Sequence, residues 1–327
     1  MKRWTVCILI LLQVLLSACG KGVNPSGEGE GEEEIVTGPV TLTVATCNVL
    51  KPSGRCDEMS LDSPTALKAL AQSIIGTGAD IIGFNELDEN YIPGGKYSLK
   101  SACSSLKDFV WSLEWPNDIH EYTPVSYSYA NGFAYNGAKL KLEESGYVWL
   151  SKEESAWYVK PESAYLNAGS PERTCLWARF THKASRKVFW LFVTHLPTDS
   201  QGGSYNMAGV VNSFAAHKAG NAPAILTGDM NSALGSSSTV ATYRRLFGYW
   251  EDGNVDATWG TLSGSSSRYH YAVDVFSDDR SDRRIDHIMT KGCTATDYRR
   301  IIVTYTVDGQ AWCPSDHLPL AATITIN

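Results

Sequence analysis

The stretch ILTGDMNS, residues 225–232, delivers a carboxylate at Asp229 and a carboxamide at Asn231 directly after an apolar run. In an extended chain, residues i and i+2 emerge on one side. The pair therefore reads as two polar groups side by side at the end of a buried strand. It has company. Asn48 closes one apolar run, Glu86 another and His195 a third; Asp286 and His287 interrupt a fourth, and Asp316 and His317 precede a fifth. Singly, each has a bland reading: Asn and Asp open turns, and a buried histidine is often just a satisfied core residue. Together they point elsewhere, because a charge at a buried strand end is costly unless it is paired or bound to a cation.

Metal-assisted attack on phosphorus suits such a set. Glu86 and Asn48 would supply a charged and a neutral oxygen to a hard divalent cation. Mg2+ keeps several waters and uses one or two carboxylates, with Mn2+ or Ca2+ as alternatives of similar oxygen preference. Asp229 and Asn231 would aim a water in line. His195 and His317 would hydrogen-bond charge developing on the phosphoryl group, with Asp316 or Asp286 fixing a histidine tautomer.

The elements that must position these residues follow from hydrophobic periodicity. VTLTVATCN (40–48) alternates and predicts a strand; PTALKALAQSIIG (64–76) opens on Pro and has helical spacing. ADIIGFNE (79–86) predicts a buried strand, RTCLWARF to VFWLFVTHL (173–196) a hairpin, about 204–219 a helix and PAILTGD a further strand. RRIDHIMT, RRIIVTYTV and HLPLAATITI supply three more strand-like runs. Strands and helices are interspersed, so the class is a sheet-rich layered α/β domain. The segment 91–170 is dense in Tyr, Trp, Gly and Asn; it reads as a hairpin with loop-packed aromatics or, alternatively, as the lining of a substrate cleft.

The N-terminus reads as targeting rather than fold. Lys2 and Arg3 precede CILILLQVLL, too short to span a bilayer, and small residues lead to Cys19. Leu16-Ser17-Ala18-Cys19 resembles a bacterial lipobox, which implies cleavage before Cys19 and a lipid anchor on it. Residues 1–18 are thus expected to be a signal peptide, 19–38 an acidic Gly/Glu tether and 39–327 the domain. The protein would be exported and lipid-anchored to a bacterial envelope membrane, on its periplasmic side or at the cell surface. Six cysteines remain after Cys7 and Cys19, none with zinc-ligand spacing. Export permits disulfides, and Cys293 with Cys313 is the preferred pair because they flank one predicted strand.

Charge bears on partners. The chain carries 28 Lys and Arg against 35 Asp and Glu; without Lys2, Arg3, Lys21 and the five Glu of 20–38, 25 face 30, a net −5. Proteins that grip long nucleic acid show a basic footprint, and none is visible here.

TCNVL, GFNELDEN, FVTHLP, LTGDMNS, RIDHI and PSDHLPL, in this order over roughly 40–325, resemble the motif series of the endonuclease/exonuclease/phosphatase superfamily, deoxyribonuclease I-like proteins. The resemblance implies a four-layer α/β/β/α sandwich, two packed mixed sheets flanked by helices, with the site at one end. It implies Asn48 and Glu86 near the metal, with Asp286 as a further metal carboxylate or a histidine partner. Asp229 and Asn231 would lie around the water, His195 and His317 on the scissile phosphate, and Asp316 behind His317. Either Asp229 or a histidine would be the base. Arg173 is either a phosphate contact or half of a surface ion pair. One departure stands out: abasic-site enzymes carry an acidic residue two positions after the Asn, where this chain has Leu50, so the metal shell is expected to be thinner.

The expected function is a divalent-metal-dependent phosphoesterase, a monomer acting on a small or surface-displayed phosphodiester or phosphomonoester. A nuclease of the same fold is the first alternative. The second, of a different class, is a non-catalytic ligand- or glycan-binding surface lipoprotein, since a fold does not dictate function.

Overall fold

In Val40–Asn48 (β1), Val40, Leu42 and Val44 face one side of the strand, and Ala45 and Cys47 the other. That two-sided burial is the signature of a central strand in a layered sheet. The computed structural model describes residues 37–113, 130–150, 155–158, 173–198, 203–232, 240–252 and 285–327, to which all counts refer. The signal, the lipobox and nearly all of the tether lie outside them, as does much of the aromatic segment. Residues 35–327 cluster as one compact unit.

After β1 come α1 (Pro64–Ile75), β2 (Ile81–Leu87), a short α2 (Leu99–Ala102), β3 (Phe109–Ser112), β4 (Ala130–Asn136) and β5 (Leu140–Trp149). Then follow β6 (Thr174–His182), β7 (Val188–His195), α3 (Gly203–Ala219), β8 (Ala224–Asp229), α4 (Val240–Phe247) and β9 (Glu251–Asp252). The chain ends with β10 (Asp286–Lys291), β11 (Thr294–Arg300), β12 (Tyr305–Val307), β13 (Gln310–Trp312) and β14 (Leu320–Ile326). One six-stranded sheet runs β11-β14-β1-β2-β4-β3 and a second β5-β6-β7-β8-β10-β9, both mixed.

Three apolar layers hold the sandwich. Between the sheets, Leu42, Val44, Ile81 and Ile324 meet Phe189, Leu191, Ile225 and Ile288. Outside the first sheet, Cys47, Ile82 and Phe84 pack on Ala66, Leu70 and Ile74 of α1. Outside the second, Trp190, Phe192 and Leu226 pack on Met207, Val211 and Phe214 of α3 and Tyr243 and Leu246 of α4. Each fully buried Leu, Ile or Phe contributes about 1.5–3 kcal/mol. The architecture is the expected α/β/β/α sandwich. Gly83 lets the sheets close tightly just below one end, since a Cβ there would lie 2.3 Å from Thr227 Oγ1.

Three local expectations are corrected. RRIIVTYTV is not one strand: β11 ends at Arg300, and Ile302 and Val303 turn into two different apolar clusters before β12. Within 91–170, β3 and β4 do pair antiparallel in one sheet, but β5 crosses to the other. Phe133 and Tyr135 of β4 are inter-sheet core, not cleft lining. Cys293 and Cys313 are free and sit in different clusters. Cys293 Sγ faces the Ala224 carbonyl at 3.5 Å, because β11 and the intervening turn carry the two cysteines apart.

Candidate functional site

The row of side chains that fills the space between the sheets turns polar at one end. Asn48 continues the Val40–Leu42–Val44 face of β1, and Asn85 the Ile81–Gly83 face of β2; the two are paired across parallel strands. His195 continues Phe189–Leu191–Val193, Asp229 continues Ile225, and Asp286 lies on the Ile288 side of β10. Strand register sets His195 beside Asp229 and Asp229 beside Asp286. Period 2 thus delivers five polar groups into one space. Gly228, at φ 145°, allows β8 to press on Thr194, whose carbonyl would lie 1.8 Å from any Cβ there.

Two residues reach the site by breaking the period. Glu86 should face α1 with Ile82 and Phe84. A register shift between Phe84 and Leu87 and a φ of 58° turn it back, as a bulge re-aims a side chain. Its Oε1 accepts from Asn48 Nδ2 at 3.0 Å and its Oε2 from the Lys51 N–H at 3.2 Å. Asn231 lies beyond the end of β8 with φ 47°, so strand alternation does not align it with Asp229. A turn does: the Asn231 N–H donates to Asp229 Oδ1 at 2.9 Å. Its Nδ2 then donates to the Leu196 carbonyl (2.6 Å) and lies 3.1 Å from His195 Nε2. The carbonyl fixes which end of the amide is nitrogen, and His195 Nε2 also lies 3.3 Å from Asp229 Oδ2, between a donor and an acceptor.

His317 enters from the turn before β14. Ser315 Oγ donates to the Asn48 carbonyl (2.8 Å) and accepts from the His317 N–H (3.2 Å), joining the turn to β1. The ring's Nδ1 lies 2.7 Å from Asp286 Oδ2, and its Nε2 3.6 Å from Asp229 Oδ2. Asp286 is therefore the partner of His317. Asp316, also expected there, makes no hydrogen bond to the ring; burial raises its carboxyl, and the charges of His317, Glu86 and Arg55 act on it, with Ser315 Oγ at 3.5 Å. Of the two carboxylates expected to fix a histidine tautomer, Asp286 is the one hydrogen-bonded to His317.

Asn48 also differs from expectation. Its Oδ1 accepts from the Leu50 N–H at 3.1 Å, and its Nδ2 faces Glu86 and, at 3.1 Å, Asp229 Oδ2. It bridges two carboxylates as a donor rather than offering them a third oxygen. Arg173 is not half of a surface ion pair. It is buried (4% exposed), and its charge acts on His195.

The electrostatics set the two histidines apart. Burial, then the charges of Arg173, His317 and Lys51, hold His195 well below the usual histidine range. Burial also disfavours a charged His317, but Asp286, Asp229 and Asp316 outweigh it and push the ring well above that range. Burial pushes Asp229 up to about 7, opposed by His317 and aided by Asp286 and Glu86. One neutral and one charged imidazole thus flank a carboxyl that titrates near neutrality.

A divalent cation fits this donor set. Ligand atoms of Glu86, His195 and Asp229 lie within 4.8 Å of one another; in the second such group, Asp229, Asp286 and His317, the charged imidazole leaves the carboxylates as the ligands. Asp286 Oδ1 is buried without a hydrogen-bond partner among the described residues, a costly state that a cation or a donor would relieve.

Sequence reasoning passed over Asn85 and Ser315. Asn85 is fully buried, accepts from the Asp229 N–H (2.9 Å) and donates to Asn131 Oδ1 (2.7 Å) and the Thr194 carbonyl (3.0 Å), tying the sheets together beneath the site. The signal was present, since Asn85 is the next inner-facing position after Ile81 and Gly83.

Paired six-stranded sheets with helices outside and a polar end define the deoxyribonuclease I-like, endonuclease/exonuclease/phosphatase fold. No protein-family model matches the sequence, and no curated protein matches it either. Solved structures do. An endonuclease/exonuclease/phosphatase family protein from Bacteroides thetaiotaomicron superposes with TM-score 0.65 at 20% identity, covering 89% of this chain and 100% of that one. A mannosyl-6-phosphatase from the same organism gives 0.62 at 20% identity, covering 86% and 99%. D. rerio TDP2 complexed with a single-strand DNA product gives 0.54 at 18% identity, covering 87% and 98%. At these identities the likeness shows the fold.

Proposed function

We propose that this chain is a divalent-metal-dependent phosphoesterase that hydrolyses a small or surface-displayed phosphodiester or phosphomonoester by in-line attack of water. The observation that carries the reading is the convergence of Asn48, Glu86, His195, Asp229, Asn231, Asp286 and His317 on one end of the sandwich. Fold neighbours that include a mannosyl-6-phosphatase and a DNA-bound protein support the reaction class. The net −5 of the domain favours a small ester over duplex DNA.

Glu86 would hold the cation beside Asn48, with Asp286 as a second carboxylate through the Oδ1 that has no partner among the described residues. When bound, the cation would neutralise phosphoryl charge and stabilise the leaving oxygen. The chain's own groups do the rest. Asp229, pushed up to about 7, is poised to accept a proton from water near neutral pH. Asn231, fixed by Leu196 and His195, orients that water. His317, kept charged by Asp286 and Asp229, donates to a phosphoryl oxygen. Arg173 adds buried positive charge beside His195. The lipobox-like Cys19 supports export and a lipid anchor.

A screen with a generic phosphodiester, a phosphomonoester, plasmid DNA and phospholipid headgroups, in Mg2+ and in EDTA, tests the reading. Metal-dependent turnover with little salt dependence is expected. Steep loss with salt would favour a nuclease, and a folded, metal-binding but inert protein would favour ligand binding without catalysis.

A further inference from the structure

One side chain ties the loop that leaves β1 to the turn that carries His317. Arg55 Nε donates to the Leu50 carbonyl at 3.1 Å and lies 3.3 Å from the Tyr91 hydroxyl. Nη1 donates to the Met59 carbonyl (3.2 Å) and the Pro314 carbonyl (2.7 Å), and Nη2 to the Val49 carbonyl. Two of these carbonyls, of Val49 and Leu50, directly follow Asn48; Met59 lies just beyond Arg55, and Pro314 opens the turn Ser315–His317. Only a planar guanidinium reaches so many acceptors at once, and charged donors make the stronger bonds.

The clamp also explains a strained residue. Leu50 has φ 53°, which costs a non-glycine residue about 1–3 kcal/mol. In that conformation its N–H donates to Asn48 Oδ1, while its carbonyl receives Arg55 and the buried Tyr91 hydroxyl. With Oδ1 engaged, the Asn48 amide must present Nδ2 to Glu86 and Asp229. The next N–H, from Lys51, holds Glu86 Oε2. Where a side-chain carboxylate was absent from the sequence, at Leu50, the backbone organises the site instead.

We propose that Arg55 is a positioning residue of this site: it holds Leu50 in its left-handed conformation and locks the Asn48–Lys51 loop to the His317 turn, which fixes Asn48 and Glu86 relative to His317. The catalytic consequence rests on the phosphoesterase reading; the mechanical one does not. Arg55 hydrogen-bonds none of the reacting groups; it acts through these carbonyls and the Tyr91 hydroxyl, and its charge reaches the Asp316 carboxyl.

Arg55→Lys keeps the charge but cannot span the acceptors. In the full chain, amide hydrogen exchange at Leu50, Lys51 and His317 should rise at least about tenfold while β8 and α1 keep their protection. The kcat should fall about 10- to 100-fold with KM within about twofold, the penalty of a small misplacement. Millimolar guanidinium should restore part of the turnover of Arg55→Ala, and equal urea should not. Exchange that is unchanged at these amides, or raised evenly through the domain, would overturn the proposal. A folded wild type that hydrolyses no phosphoester would instead count against the phosphoesterase reading, and the exchange data alone would decide the clamp.

Discussion

The two ends of the inter-sheet layer are built from the same strands, in the same register, with opposite chemistry. At one end Leu42, Leu191, Ile225 and Ile288 interlock; a few residues along, Asn48, His195, Asp229 and Asp286 stand in the same rows. The apolar end has one way to be stable, which is to exclude water. The polar end carries buried carboxyls and imidazoles that oppose its own burial, and it persists because the apolar end and the outer layers stabilise the sheets. The difference separates stability from function along a single axis, so substitutions at the two ends should have separable effects.

The largest expected effect is at the apolar end. Ile225→Ala should cost about 2–5 kcal/mol of unfolding free energy, measured by denaturant titration, with turnover per folded molecule retained. Asp229→Asn, one step along the same face, should do the reverse. Turnover should fall on the order of 10²-fold or more, while the unfolding midpoint holds or rises, because a buried carboxyl is replaced by a neutral isostere. Near-normal turnover would remove Asp229 from its role. Glu86→Gln should have a milder effect, raising the Mg2+ concentration for half-maximal activity; an unchanged titration would reject it as a ligand.

A further expectation is a pH dependence measured in EDTA. The Asp229 carboxyl, at about 7 in the folded state, lies above its ordinary value of about 3.9. Below both values it is protonated folded and unfolded alike. As pH rises from about 4 to about 7, the unfolded chain loses this proton while the folded one keeps it, so wild type should lose stability relative to Asp229→Asn across that window. A stability difference that stays flat there would contradict a raised carboxyl.

Much of this was legible in the sequence, for a physical reason. Alternation in VTLTVATCN and the apolar runs before His195 and Asp229 report which face each strand buries, and their polar ends follow the same period. What stayed hidden depends on breaking that period. Glu86 reaches the site through a bulge and Asn231 through a left-handed turn, neither visible in residue type. Which of Asp286 and Asp316 reaches His317 is a matter of side-chain direction, which residue type leaves open. Arg55 acts on carbonyls, which every residue possesses, so no spacing announces it. RRIIVTYTV misleads because an apolar run can leave a sheet and fill two clusters as readily as it can form a strand.

The central claim is that the polar end performs metal-dependent phosphoester hydrolysis. The most direct test follows turnover of a generic phosphodiester and a phosphomonoester by wild type and His317→Ala at matched unfolding midpoints, in Mg2+ and then in EDTA. The account predicts turnover by wild type in Mg2+, its abolition by EDTA, and a loss of about 10²-fold or more in His317→Ala. Turnover that survives EDTA, or a His317→Ala protein as active as wild type, would contradict it.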